Sequence, residues 1–397
     1  MSSTGVRGSA PCAPRPDDRW ALFSGNPAGG RSALRGPIFA PPKGAGRAGG
    51  RAPCPDCGVQ TPVRVCPDCH TDLPTDYCDQ DSRIIALIGP KAAGKSTYVT
   101  VLAHELRHRV GQAIDASLSA MGTTTQNRYR QLEDSLYDRL LLPGPTQPAA
   151  MRFNDPLLFR LSLPRRGLAG MRGGSRHTAL VFFDAAGEDL ASAEAMDRFT
   201  AYLAAADGVI VLVDPLQLRP VRDRLTGSSA SLPSIETAPE QIVADLAAQL
   251  RRHGRGQEKG KVTTPVAVAL TKSDVLESML DPSSPLLRSA PYPDGALDEA
   301  DRTAVHQEVR ALLEEWDGGL LHRRLERDFA HFSLFGLSAL GAAPTADAPA
   351  DAPKAGLQPR RVEDPLLWLL GLRGLIPVRS AKKAESGQRT QSARKGR

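Results

Sequence analysis

Aromatic residues are scarce, at 5% of the 397 positions, and cysteines number six. No run of about 18 consecutive apolar residues occurs, so no segment suits a transmembrane helix. The longest candidate, Pro365 to Val378, is too short and is interrupted by Arg373. The opening residues (MSSTGVRGSAPC) lack the apolar stretch of a secretory signal, which points to a cytoplasmic protein. Six cysteines are too few for a disulfide scaffold in a chain of this length. Four of them stand in two C-x-x-C pairs, the spacing of metal ligation in a reducing compartment.

The net charge of +6 is unevenly placed. Residues 1–51 hold eight Lys/Arg against two Asp, and residues 379–397 hold seven against one Glu. Each tail is therefore +6, and residues 52–378 sum to −6. Basic character confined to the tails argues against nucleic acid as the partner of the folded body.

Residues 1–53 contain ten Gly and eight Pro and read as a disordered Gly/Pro-rich arm. Residues 54–80 form a compact Cys-rich unit. From Arg83 onward, short apolar runs alternate with longer amphipathic stretches, the texture of βαβ units on a mostly parallel sheet. The candidate strands are Ile84–Ile88, Leu157–Leu163, Ala179–Phe183, Val209–Val213, Val266–Leu270 and Phe332–Leu337. The candidate helices are Lys95–Val110, Arg128–Leu142, Ser192–Ala205, Glu240–Arg252 and Asp298–Trp316. The largely apolar Glu363–Val378 reads as a helix packed on the sheet, because its polar face is too poor for a membrane surface. Residues 379–397 read as a basic disordered tail.

Gly89-Pro90-Lys91-Ala92-Ala93-Gly94-Lys95-Ser96-Thr97 fits G-x-x-x-x-G-K-[ST], after an apolar strand and before a helical stretch. Such a loop wraps backbone N–H groups around phosphates, and the helix N-terminus adds partial positive charge. Lys95 is expected to reach the β- and γ-phosphates and Ser96 to bind Mg²⁺.

Three later segments bear on the base. Asp184-Ala-Ala-Gly187-Glu188 is a D-x-x-G, in which Asp184 holds Mg²⁺ through water and the Gly187 N–H meets the γ-phosphate. Thr271-Lys272-Ser273-Asp274 fits [NT]-K-x-D. The Asp274 carboxylate would accept hydrogen bonds from guanine N1–H and N2–H₂, a pattern adenine lacks. The Lys272 stem can cover the base. Ser338-Ala339 offers a backbone N–H to guanine O6. Each segment ends a candidate strand, where open parallel sheets bind ligands. Together they favour GTP over ATP; an ATPase would require Asp274 to be a mere cap.

These segments resemble the translation-factor-related (TRAFAC) and Ras-like P-loop GTPases over about Arg83 to Pro377. Within them the chain is most similar to an actinobacterial group, the double-GTPases of bacterial conflict systems. The resemblance is carried by CPDCHTDLP, GPKAAGKSTYVTVL, FFDAAGEDL, DGVIVLVDPLQL, VALTKSD, FGLSALG and RVEDPLLWLLGLRGLIP. It implies GTP binding, slow hydrolysis, a regulatory switching role and a protein partner encoded in the same operon. It departs from the Ras-like pattern after D-x-x-G, where the usual Gln is Glu188. Glu188 is an acceptor-only anion beside an anionic γ-phosphate, so hydrolysis is expected to be slow or to need an Arg supplied by a partner. Thr271 replaces the usual Asn. Thr123, Thr124 and Thr125 are candidates for the Mg²⁺-sensing Thr of switch I, or equally for a helix cap.

Cys54-Pro-Asp-Cys57 and Cys66-Pro-Asp-Cys69 are eight residues apart and can set four thiolates around a structural Zn²⁺. His70 adjoins the last of them. Cys12 reads as exposed and Cys78 as linker packing. His104-Glu105-Leu106-Arg107-His108 matches the H-E-x-x-H of zinc proteases. It lies on the helix that the phosphate loop launches, and Ile114 stands where the extended pattern wants a third His. A solvated face of partnered charges is the plainer reading. The expected architecture is thus α/β, a P-loop GTPase three-layer sandwich over 82–378, preceded by a zinc ribbon at 54–80.

Overall fold

The run Gly208–Val213 (GVIVLV) is buried at every position, as is Val266–Leu270 (VAVAL). Such runs suit parallel strands covered on both faces. They sit inside a seven-stranded sheet in the computed structural model, which describes residues 5–8, 12–24, 34–41, 51–67, 69–74, 77, 81–90, 92–143, 156–166, 172–184, 202–203, 205–225, 238–253, 256–317, 319–342, 352–353 and 356–380. Its strands are β1 (Asp81–Ile88), β2 (Ser117–Ala120), β3 (Leu157–Arg166), β4 (Arg172–Asp184), β5 (Gly208–Val213), β6 (Val266–Leu270) and β7 (Phe332–Gly336). The order is β2-β3-β4-β1-β5-β6-β7. β4, β1, β5, β6 and β7 run parallel, while β2 and β3 form an antiparallel edge.

Period-two alternation divides the central strands between two cores. Leu87, Ile210, Leu212, Ala267 and Ala269 face one cluster. That cluster also holds Tyr98, Leu102 and Leu106 of α1 (Lys95–Arg107) and Leu366, Leu367, Trp368 and Leu370 of α6 (Asp364–Leu372). Ile88, Val209, Val211, Val213, Val266 and Val268 face the other. There they meet α3 (Pro239–His253), α4 (Glu299–Asp317) and α5 (Leu320–Asp328). The result is the α/β P-loop sandwich expected from the sequence.

The six expected strands are all present. β2 was not foreseen, because SLSA is short and weakly apolar; it forms by pairing Leu118 with Leu161 at the edge. α1 ends earlier than its apolar pattern suggests. The chain breaks at His108 (φ −118°, ψ −102°) before a short helix, Arg109–Ala113. A Cβ on Gly111 would lie 2.3 Å from the Leu106 carbonyl oxygen, so this turn requires glycine. α2 (Gly122–Glu133) starts before the expected Arg128 and continues as a widened turn at Asp134–Asp138. Most of the expected helix Ser192–Ala205 lies outside the described residues. The Tyr202 hydroxyl donates to the Ile85 carbonyl at 2.5 Å.

α6 is apolar nearly all round and buried, as a core helix should be. It lies so close to β5 that a Cβ on Gly208 would come within 2.9 Å of Leu369 Cδ2. Its entry is fixed by charge. The Arg361 guanidinium, fully buried, donates to Asp301 at 2.7 Å and to Asp364 at 2.9 Å. Among the described residues no helix is long and apolar enough to cross a membrane.

Described parts of the Gly/Pro-rich arm carry structure. The strand Gly5–Arg7 lies in a small antiparallel sheet ordered 38–39, 5–7, 64–65, 72–73. The helix Asp18–Ser24 follows it. Composition concealed this because polar contacts supply the order. Arg7 and Arg35 both hold the Asp72 carboxylate, and Arg35 stacks on Trp20 at 4.7 Å from the ring centroid.

Candidate functional site

The phosphate loop leaves β1 and enters α1 as the sequence predicts. Ala92 (φ 61°) and Gly94 (φ 81°) are left-handed, a backbone conformation that occurs in anion-binding concavities, and Ala93 N–H donates to the Pro90 carbonyl at 3.2 Å. A Cβ on Gly89 would stand 3.0 Å from the Leu212 carbonyl oxygen, a tight fit that favours glycine. Gly94 caps α1, and Tyr98 N–H closes the first turn on its carbonyl at 2.7 Å. Lys95 is buried, and its Nζ donates to the carbonyls of Gly89 (2.8 Å) and Pro90 (3.0 Å). The ammonium therefore lies folded over the mouth of the loop. Ser96 and Thr97 occupy the first turn of α1. Lys91 lies outside the described residues.

Asp184 ends β4 and is in register with Leu87 of β1, two residues before the loop. Gly187 and Glu188 lie outside the described residues.

The two base-reading segments are tied to each other. Thr271 is buried and its Oγ1 donates to the Val213 carbonyl at 3.3 Å. Lys272 takes a left-handed conformation (φ 52°). Ser273 N–H donates to the Leu337 carbonyl at 3.0 Å, which zips the end of β6 to the end of β7. The fully buried Ser338 then donates from Oγ to Asp274 Oδ1. Its own N–H is committed to the Arg360 carbonyl at 3.0 Å, so of the Ser338–Ala339 pair Ala339 is the backbone donor left to address a ligand.

Asp214 is the residue the sequence reading missed. It follows β5 directly, its side chain is fully buried, and Oδ2 pairs with Lys272 Nζ at 2.6 Å. Oδ1 accepts from Leu216 N–H at 2.9 Å, which caps the next turn. The signal was available: an acidic residue ends an apolar strand at the same sheet edge as the phosphate loop.

Thr125 is buried in α2, where its Oγ1 accepts from Leu158 N–H at 3.2 Å. Thr123 and Thr124 are exposed in the same first turn, and α2 has no side-chain cap. The cap reading is thus corrected, since all three fall inside the helix.

Of the H-E-x-x-H residues, Glu105 and His104 have polar partners, and the ligand atoms of His104, His108 and Glu133 lie within 4.8 Å of one another. Glu105 pairs with Arg109 at 2.7 Å. His104 approaches Glu133 at 2.9 Å, with Arg107 at 3.2 Å and the Tyr129 hydroxyl at 2.7 Å on the same carboxylate. Burial pushes the Glu133 carboxyl up, but the Tyr129 and His104 hydrogen bonds and the Arg107 charge outweigh it and hold it below the usual range.

The cysteines assemble differently from the expected tetrad. Cys12, Cys54 and Cys57 place their sulfurs within 4.8 Å of one another, and that group includes neither Cys66 nor Cys69. Cys69 instead contacts Cys66 and the Thr71 hydroxyl, the latter at 3.3 Å. Strand pairing brings the arm to the first knuckle: Gly5–Arg7 pairs with Arg64–Val65, and Gly8 passes beside Cys54. Cys12 is half-buried rather than exposed. His70 is engaged by Asp17 at 2.8 Å, and Cys78 lies outside the described residues.

A putative ESX-1 scaffolding and assembly protein, SaeC, of Mycolicibacterium smegmatis is 30% identical over 317 residues, covering 74% of this chain and 75% of that protein. Similar solved structures include the signal recognition particle receptor SRb-GTP/SRX complex from Chaetomium thermophilum (14% identity, 66% of this chain and 94% of that chain, TM-score 0.28). Another is the Arl6 BBS3 small GTPase from Trypanosoma brucei (13% identity, 73% and 96%, TM-score 0.29). The family model described as Double-GTPase 2 matches residues 83–342, more than half of the chain. The chain belongs to the Double-GTPase 2 family.

Proposed function

We propose that this chain is a Mg²⁺-dependent GTP-binding switch that hydrolyses GTP slowly and acts through a partner protein in a bacterial conflict or signalling system, in the cytoplasm. The observation that carries the reading is the hydrogen bond from Ser338 Oγ to Asp274. It joins two loops at the sheet edge where the phosphate loop opens. In this reading Asp274, Thr271, Lys272 and Ala339 recognise guanine, and Ser338 orients the Asp274 carboxylate. Gly89 to Thr97 cradle the phosphates, with Lys95 as their cation and Gly187 on the γ-phosphate.

Ser96 and Asp184 would hold Mg²⁺. A hydroxyl and a carboxylate are hard oxygen donors and fit that ion. Mg²⁺ would supply charge neutralisation to the phosphates. Water attacks the γ-phosphorus in line and GDP leaves, with no covalent intermediate on the chain. Glu188 can accept the water's proton but cannot donate to the γ-phosphate as Gln does, which keeps the rate low. The N-terminal cysteines are read as a structural Zn²⁺ site.

Calorimetry with GTP and ATP in Mg²⁺, on the wild type and Asp274→Ala, tests the base assignment. A GTP preference that disappears in the variant supports it; equal ATP binding indifferent to the substitution overturns it. A second reading, a nucleotide-bound scaffold without turnover, is favoured by Glu188 and by the scaffolding role in the name of the M. smegmatis relative. Phosphate release from the same samples separates the two.

A further inference from the structure

We propose that the metal site of the N-terminal module is built by Cys12, Cys54 and Cys57, so that the ion staples the N-terminal segment to the first knuckle. This rests on the reading above that the module binds a metal, and it changes the ligands. Cys12 Sγ lies 2.8 Å from Cys57 Sγ and 3.4 Å from Cys54 Sγ. Thiolates around Zn²⁺ at about 2.3 Å stand roughly 3.8 Å apart at the corners of a tetrahedron. All three sulfurs thus converge on one ion, with Cys12 moving outward by about 1 Å.

The knuckle is shaped for it. Gly58 N–H returns to the Cys54 carbonyl at 2.8 Å and Cys54 N–H to Val59 at 3.0 Å. The N–H groups of Asp56 and Cys57 hydrogen-bond to the Cys54 sulfur. Gly58 is left-handed (φ 71°) where the turn closes. Cys12 is brought in by the strand Gly5–Arg7, which pairs with Arg64–Val65 and leads Gly8 past the knuckle. A Cβ on Gly8 would stand 3.3 Å from Cys54 Sγ and 2.9 Å from the Pro37 ring, so only glycine passes there.

The module also needs a staple. Its buried apolar side chains, among the described residues, are Val6, Ala21, Ala52 and Val65, too small a core to hold these short strands. An ion on Cys12 closes a loop of 42 residues to Cys54, which a core of this size cannot fix alone. Three thiolates supply three corners of the tetrahedron.

The test uses the full-length protein, stripped with a chelator and reloaded with Zn²⁺ or Co²⁺. Affinity is read by competition with a chromophoric chelator, and the thiolate count from the Co²⁺ charge-transfer band. Cys12→Ser is expected to weaken binding at least about 100-fold and to diminish the band. Cys12→His, which keeps a ligand there, restores binding with a shifted spectrum. The Cys66→Ser/Cys69→Ser pair leaves affinity and band at the Cys12 site unchanged. If Cys12→Ser keeps both while the Cys66/Cys69 pair abolishes them, the proposal is overturned, the metal reading survives, and the original tetrad is restored. If the wild type binds no metal, both readings fail together. A thiol titration in denaturant then tells a Cys12–Cys57 disulfide from free thiols.

Discussion

The contact between Lys272 and Asp214 offers the sharpest test of how the base loop is held. Asp214→Asn is nearly isosteric. It keeps Oδ1 as the acceptor for Leu216 N–H, at 2.9 Å, and removes only the negative charge facing Lys272 Nζ at 2.6 Å. A charge-assisted hydrogen bond contributes about 1.5–3 kcal/mol. The Lys272 side chain is 32% exposed, so screening reduces this to about 1–2 kcal/mol. Part of the loss falls on the fold and lowers the melting temperature by about 2–4 °C. The rest falls on the left-handed Lys272, whose stem is no longer held across the base. GTP affinity should then drop by up to about fivefold, equivalent to about 1 kcal/mol. Asp214→Ala also strips the cap from the following turn and adds about 1 kcal/mol of instability. Calorimetry with GTP and thermal unfolding measure the two parts separately. If Asp214→Asn binds GTP and melts as the wild type does, the contact carries nothing and the reasoning is wrong.

Three further outcomes are expected. His306 is held neutral: burial, with Arg302, His322 and Arg310 nearby, lowers its pKa from 6.5 to about 4, and its Nδ1 accepts from Leu334 N–H at 3.1 Å. Because the folded pKa lies below the unfolded one, its contribution is complete above about 6.5 and is lost as pH falls toward about 4. Partial exposure limits the loss to roughly 1–2 kcal/mol, and denaturant titrations at pH 7 and pH 4.5 should show a smaller gap in His306→Gln. Gly208→Ala puts a Cβ 2.9 Å from Leu369 Cδ2 and should destabilise by about 1–3 kcal/mol, whereas an unshifted denaturation midpoint would deny the close seat of α6. Gly94→Ala forces a left-handed residue (φ 81°) at the head of α1, costing about 1–2 kcal/mol and weakening nucleotide binding; full binding would mean that the loop tolerates another path.

Strong local signals were legible in the sequence. The strands β1, β5 and β6 announced themselves as uninterrupted apolar runs, since a strand covered on both faces needs apolar side chains on both. The phosphate loop was legible because its glycines, Lys95 and Ser96 lie within one turn and depend on no distant partner. Thr271 to Asp274 could be placed at a strand end for the same reason. The weak edge strand β2 could not, because its pairing with β3 lies forty residues away in the chain.

What the chain determined by itself is therefore the family's sheet, the phosphate loop and the residue types available at each strand end. Only the tertiary structure decided which of those residues meet. It committed the Ser338 N–H to Arg360, buried Thr125 against β3, and set Asp214 against Lys272. It also placed Cys12 with Cys54 and Cys57, where spacing alone favoured Cys66 and Cys69. The reason is the same throughout: residue spacing records contacts along one local turn, whereas these meetings depend on strand register between segments far apart in sequence, which only the assembled sheets fix.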